Sequence, residues 1–216
     1  MDSVGIEFLR VKLKMVGAFC VLRYHKGGGL AMLWFDQVDV VVSTYSRNHI
    51  DARVVKKSSG TGFHVTGFYG NPETHKRKES WALLKHLSSL SSEPWICMGD
   101  FNEILDNNER SGRGSRPGWQ IEDFRVVVVH CELHDMGFVG HPFTWRNKRE
   151  AKQNDETFVT ARLDRVFASA SWLDKYDGVC VSHLAMQNSD HCPMVLSLPD
   201  SHSTRKRKQV FRFKAM

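Results

Sequence analysis

Short apolar runs of strand length, interrupted by only two stretches of helical periodicity, constrain this chain more than any other feature. Residues 17–23 (GAFCVLR) and 30–35 (LAMLWF) flank the turn HKGGG, and residues 38–45 and 50–57 are rich in β-branched side chains. Residues 62–69 (GFHVTGFY) alternate large and small side chains and stop at Gly70-Asn71-Pro72, a turn signal. Residues 76–92 make the clearest predicted helix, because Leu83, Leu87 and Leu90 recur at i, i+4 and i+7 with Trp81 and Leu84 beside them. Glu93-Pro94 ends it, and WICMGD follows as a buried strand. Residues 118–133 contain VVVV, which favours a strand by propensity, yet Ile121, Phe124, Val128 and Cys131 keep helical spacing. The spacing decides for a helix. Further strands are expected near 144–146, 161–168, 179–183 and 194–198. Strands interleaved with two helices predict an α/β domain.

A length of 216 residues suits one such domain. No apolar run approaches the ~20 residues needed to span a bilayer. The start, MDSVGIEFLRVKLKM, lacks the apolar segment and cleavage site of a secretory signal. The expectation is an intracellular protein without membrane contact. The five cysteines are odd in number and form no CxxC, so reduced, mostly buried thiols are expected rather than a disulfide framework or a zinc site. The net charge of +6 invites a nucleic-acid reading, but six of the 30 basic residues lie in the last sixteen positions, which hold no acidic residue. Without those six, the Lys and Arg equal the 24 Asp and Glu. The basicity therefore belongs to the tail, which reads equally as a nuclear-localisation patch, a phosphate-contacting arm or a solvated linker.

Four segments place polar residues at strand ends. Tyr69 closes one strand, Gly99-Asp100-Phe101-Asn102 follows WICM, Arg162-Leu163-Asp164-Arg165 opens ARLDRVFAS, and Ser189-Asp190-His191 precedes PMVLSL. Each alone has an ordinary reading as a turn, a helix cap or a surface ion pair. Together they supply the parts of phosphodiester hydrolysis. A hard cation such as Mg²⁺ prefers oxygen ligands of the kind Asp100, Asn102 and Asp190 offer. A carboxylate takes the proton of an attacking water, and His191, oriented by Asp164, donates to a phosphate oxygen.

The segments TGFYGNPE, ICMGDFNEIL, ARLDRVFAS and SDHCPMVL resemble successive motifs of the endonuclease/exonuclease/phosphatase superfamily, which includes pancreatic deoxyribonuclease, apurinic endonucleases and inositol phosphatases. GGGLAMLW, ERSGRGSRPGWQIEDF and LHDMGFVGHPFTWRNKR are similar to the endonuclease region of plant LINE-type retrotransposons, and the likeness runs from about Phe19 to Leu198. The tail RKRKQVFRFKAM resembles the segment that in those elements leads towards a reverse transcriptase.

The resemblance implies a four-layer α/β sandwich of two mixed β-sheets flanked by helices (DNase I-like) over residues 1–199, with 200–216 as a basic tail. It implies Mg²⁺, or Mn²⁺, as cofactor, DNA as partner, a reverse transcriptase domain once contiguous with the chain, and a nuclear more than a cytoplasmic location. By likeness, Asp100 orients or deprotonates water and touches the metal, Asn102 holds water and phosphate, and Tyr69 contacts the phosphate. His191 stabilises the transition state with Asp164 as its carboxylate, Asp190 stands near the metal, and Thr144 lies by the site. Relatives begin with two strands, the second ending in the glutamate that is the main Mg²⁺ ligand. Neither is found here, and Glu7 is a poor substitute. An N-terminally truncated, impaired DNA endonuclease is thus the leading expectation. A phosphatase of the same fold and a catalytically silent nucleic-acid-binding remnant are the alternatives.

Overall fold

The computed structural model describes residues 3–22, 29–90, 92–147, 158–187 and 189–198. Helix α1 (Ser3–Lys12) leads into the hairpin of β1 (Gly17–Val21) and β2 (Leu30–Trp34). Next come β3 (Val38–Ser46), β4 (His49–Lys56), β5 (Gly62–Tyr69), α2 (Arg77–Ser89) and β6 (Trp95–Asp100). The short β7 (Arg110–Gly112) precedes α3 (Gly118–His130), β8 (Leu133–Asp135), β9 (Val139–Gly140) and β10 (Trp145–Arg146). The order closes with β11 (Val159–Ala161), β12 (Asp164–Ser169), α4 (Ala170–Lys175), β13 (Cys180–His183) and β14 (Met194–Ser197).

The centre is a six-stranded sheet in the order β3-β4-β5-β6-β12-β8. It is mixed: β5 and β6 run parallel, joined across α2, and the other pairs are antiparallel. Side chains alternate across its two faces. On one face Phe68, Cys97 and Phe167 meet Trp81, Leu84 and Leu87 of α2 and Phe124, Val127 and Val128 of α3. On the other, Ile96, Val166 and Ala168 meet Trp172 of α4 and Val181 of β13. Helices thus cover one face, and a second sheet with α4 covers the other. The fold is mixed α/β with several mixed sheets flanked by helices.

Several expectations change. The layer opposite consists of three separate small sheets among the described residues, β1-β2, β10-β11-β7 and β14-β13-β9. There are two additional helices, α1 and α4. The stretch expected as one strand over 161–168 is two, since the chain leaves one sheet after Ala161 and enters another at Asp164. In α2 the buried stripe is Trp81, Leu84 and Leu87, while Leu90 sits at the helix end and is 47% exposed. Helical spacing in α3 prevails over β propensity: Ile121, Phe124, Val128 and Cys131 are all buried. Cys97, Cys131 and Cys192 are buried free thiols, and Cys20 and Cys180 are half-buried. Arg23, most of HKGGG and the tail 200–216 lie outside the described residues.

Two features of the chain after β6 are explained by packing. Gly99 has φ +141°, and a Cβ there would stand 2.1 Å from the carbonyl oxygen of Phe68 on the neighbouring strand. Only glycine tolerates both the conformation and the approach. Phe101 faces away from Asp100 into the core, fully buried, with ring centroids 5.0 Å from both Phe68 and Phe167. The polar residues on either side are thereby held at the rim.

Candidate active site

Register assembles the site. Tyr69 is the parallel partner of Asp100, and Asp164 is the antiparallel partner of Asp100, so three strands bring Tyr69, Asp100 and Asp164 abreast. After Asp100 the chain turns back through Asn102, whose φ of +55° suits the short polar side chain of asparagine. Asn102 N donates to Asp100 Oδ1 at 2.8 Å. Its side-chain Nδ2 donates to Asp100 Oδ2 and to the Gly70 carbonyl, each at 2.9 Å. His191 arrives from the loop between β13 and β14, where its backbone bridges Trp145. Its ring Nδ1 donates to Asp164 Oδ2 at 2.8 Å, which turns Nε2 towards Asp100 Oδ2 at 4.0 Å.

Thr144 does not face an open site. It is fully buried, and its Oγ1 accepts from the backbone N–H groups of Leu163 and Asp164 at 3.0 and 2.9 Å. Its carbonyl accepts from Cys192 N at 2.8 Å, so one threonine ties the Asp164 and His191 segments together. Asp190 is half-buried beside His191, and its carbonyl accepts from Arg146 N at 3.0 Å.

The charges are coupled. Burial and the charge of Asp164 push the Asp100 carboxyl up to about 7, against the opposing pull of His191 and the Asn102 donors. Burial disfavours the imidazolium of His191, but the bond to Asp164 and the charges of Asp164, Asp100 and Asp190 outweigh it and hold His191 above its ordinary range. Burial, and secondarily Asp100, raises the Tyr69 hydroxyl, keeping it a neutral donor. The arrangement holds a carboxylate near its titration point beside an imidazole whose charged form is favoured. That is the pairing a general base and a charge stabiliser need at neutral pH.

This pairing has a stability consequence. A carboxyl that ionises near 3.8 in the unfolded chain and near 7 in the fold retains its proton longer when folded. Stability is then greatest below pH ~4 and declines as pH rises through 7. Asp100→Asn removes the ionisation and keeps the shape. It is expected to stabilise the chain by about 2–4 kcal/mol at pH 8 and by much less near pH 4.5, read as urea midpoints.

A second charge cluster, which no sequence pattern marks, lies beside the site. Arg162 and Arg165 share Glu109 and Asp135, with Arg165 fully buried. Only Arg162 and Arg165 were visible as neighbours of Asp164; nothing in the sequence marks Glu109 or Asp135 as their partners.

A profile described as endonuclease/exonuclease/phosphatase family matches residues 7–191. The chain belongs to that family. A search of curated proteins finds no match. Among solved structures, the endonuclease domain of TRAS1, a telomere-specific non-LTR retrotransposon, is similar with a TM-score of 0.60 at 15% identity, covering 91% of each chain. Beta toxin from Staphylococcus aureus gives a TM-score of 0.62 at 17% identity, covering 92% of this chain and 84% of the toxin. TDP2 of D. rerio, complexed with a single-strand DNA product, gives 0.54 at 15%, covering 90% and 81%. These likenesses establish the shared fold.

Family members are generally hydrolases, nucleases or phosphatases, and typically use divalent metals. The residues here do not by themselves make a metal site. Among the described residues no group of three His, Cys, Asp or Glu side chains could hold an ion. Both oxygens of Asp100 already accept from Asn102, and Asp164 Oδ2 accepts from His191. Glu7 is exposed in α1 and paired with Arg10 at 2.6 Å. No helix among the described residues is long and apolar enough to cross a membrane.

Proposed function

We propose that this chain hydrolyses phosphodiester bonds in DNA as an endonuclease of the retrotransposon type. The observation that carries the reading is the in-register trio Tyr69, Asp100 and Asp164 with His191 hydrogen-bonded to Asp164 and facing Asp100. Asp100 acts as general base towards the attacking water. Its position near 7 makes it a sufficient base while leaving it partly ionised at neutral pH. His191, held charged by Asp164, faces the phosphate and offsets the negative charge that grows in the transition state. Asn102 and the neutral Tyr69 hydroxyl orient the phosphate. Thr144 positions Asp164 from behind through its two accepted N–H bonds.

DNA is favoured by the retrotransposon-like stretches of the sequence and by the fold shared with the TRAS1 endonuclease domain. Mg²⁺ or Mn²⁺ belongs to the reading through the family. With both oxygens of Asp100 accepting from Asn102 and one oxygen of Asp164 from His191, such an ion is expected to bind weakly and to be needed at high concentration. A reverse transcriptase in the same longer protein, and work on nuclear DNA, complete the proposal.

The experiment supplies supercoiled plasmid and, separately, inositol phosphates and other phosphate monoesters, each with Mg²⁺ or EDTA. Plasmid nicking that EDTA abolishes, without phosphate release from the monoesters, is the expected result. Phosphate release with intact plasmid would make the chain a phosphatase of this fold. Plasmid retention without cleavage would reduce it to a binding remnant.

A further inference from the structure

A cavity of about 290 Å³ opens between the start of α2 and the start of α3, lined by residues that include Arg77, Trp81, Trp119 and Gln120. It shares both of its inner loops with the candidate active site. Thr74 and His75 continue the segment that leaves Tyr69, and Glu103 directly follows Asn102. Arg77 lies within electrostatic reach of Asp100. The floor is rigid: Arg77, 5% exposed, is bonded to the fully buried Glu103 and donates to Gln120 Oε1 at 3.0 Å.

We propose that this cavity takes a nucleobase of the strand whose phosphate lies at Asp100 and His191, stacked on Trp119. The proposal rests on the phosphodiesterase reading for its choice of ligand. The charges in the wall argue for a base rather than a phosphate, because Arg77 and Lys78 are balanced by Glu103 and Asp123. A neutral ring with donors and acceptors on its edge suits such a wall, to which Gln120 contributes an amide and Asp123 a carboxylate. Trp119 lines the cavity and is 56% exposed, and an exposed indole face is a sequence-tolerant platform for a base.

The test measures binding of fluorescein-labelled DNA duplexes to the full chain in EDTA by anisotropy. Trp119→Ala is expected to weaken binding about tenfold, and Trp119→Phe to recover most of it. In the unaltered protein, an abasic residue walked along the strand should cost a similar factor at one position only, and there Trp119→Ala should add nothing. Thermal melting of both variants reports whether they fold, and the exposed position of Trp119 predicts that they do. Equal affinity of Trp119→Ala and the unaltered chain overturns the proposal, as does a loss that no abasic position mimics. If Trp119→Ala binds normally while plasmid nicking still depends on Asp100 and His191, the cavity assignment fails alone. If base-dependent binding is seen but no phosphodiester is cut, the hydrolase reading fails and the cavity stands.

Discussion

Asp100→Ala and His191→Ala are each expected to lower plasmid nicking by about 100- to 10,000-fold, the range that one general acid–base group contributes. Asp100 is the carboxyl whose titration point burial and Asp164 bring to about 7, so its loss removes the base without a ready substitute. Asp164 accepts a hydrogen bond from His191 Nδ1 and favours the charged imidazole, and removal of His191 leaves Asp164 without that partner. The two residues act on one reaction step, so the double variant should be little worse than either single one. Asp164→Asn should fall between them and the unaltered chain: it keeps a hydrogen-bond acceptor for His191 but loses the charge that holds the imidazolium. Initial rates of nicking at pH 7.5, with folding confirmed by circular dichroism, decide the matter. Rates in either alanine variant within about threefold of the unaltered chain would remove these residues from the chemistry, since such a change is well under 1.4 kcal/mol. Asp100→Asn, inactive on the same grounds, should nonetheless be the more stable protein at pH 8. A site that is destabilised when it is catalytically competent is the common form of the trade-off between stability and function.

The other large effect is on stability. Arg165→Met is expected to destabilise the fold by about 3–5 kcal/mol, because it strips a buried charge from a cluster that neutralises two carboxylates. Arg165 Nη1 lies 2.9 Å from Glu109 Oε1 and 2.7 Å from Asp135 Oδ2, and Arg162, already bonded to Glu109 Oε1 and Asp135 Oδ1, does not replace these bonds. Burial would raise Asp135, yet Arg165 and Arg162 hold it below its ordinary range, so its contribution is present above pH ~4 and lost as pH falls further. Urea unfolding at pH 7 measures the effect. Adding Glu109→Gln to Arg165→Met should recover part of the loss, since the uncompensated carboxylate is what costs stability. No recovery in the double variant would show that the arginine acts by packing rather than by charge. The cluster sits at the mouth of β12, so the same variants report whether Asp164 keeps its place.

Local sequence carries local structure where a pattern is long enough to be read. β5 is legible from its alternation and its Gly-Asn-Pro stop, and α3 from the spacing of Ile121, Phe124, Val128 and Cys131, which outweighs four consecutive valines. The residues that meet at the site were equally legible, because polar side chains at strand ends stand out against apolar runs: Tyr69, Asp100, Asn102, Asp164 and His191. Beyond the pair Asp164 and His191, what sequence could not supply is pairing at a distance. That Tyr69, Asp100 and Asp164 lie abreast follows from strand register between segments up to 95 positions apart. Likeness places Thr144 near the site, but only its two accepted N–H bonds show it to be a brace behind Asp164. Glu109 and Asp135 look like any surface acids until the fold buries them against Arg162 and Arg165. Hydrophobic periodicity is a property of neighbours along the chain, so it determines which segments form and which face they bury. Electrostatic energies depend on separations and burial in space, so the tertiary structure alone decides which charges pair, which carboxyl is raised, and which side chains confront the substrate.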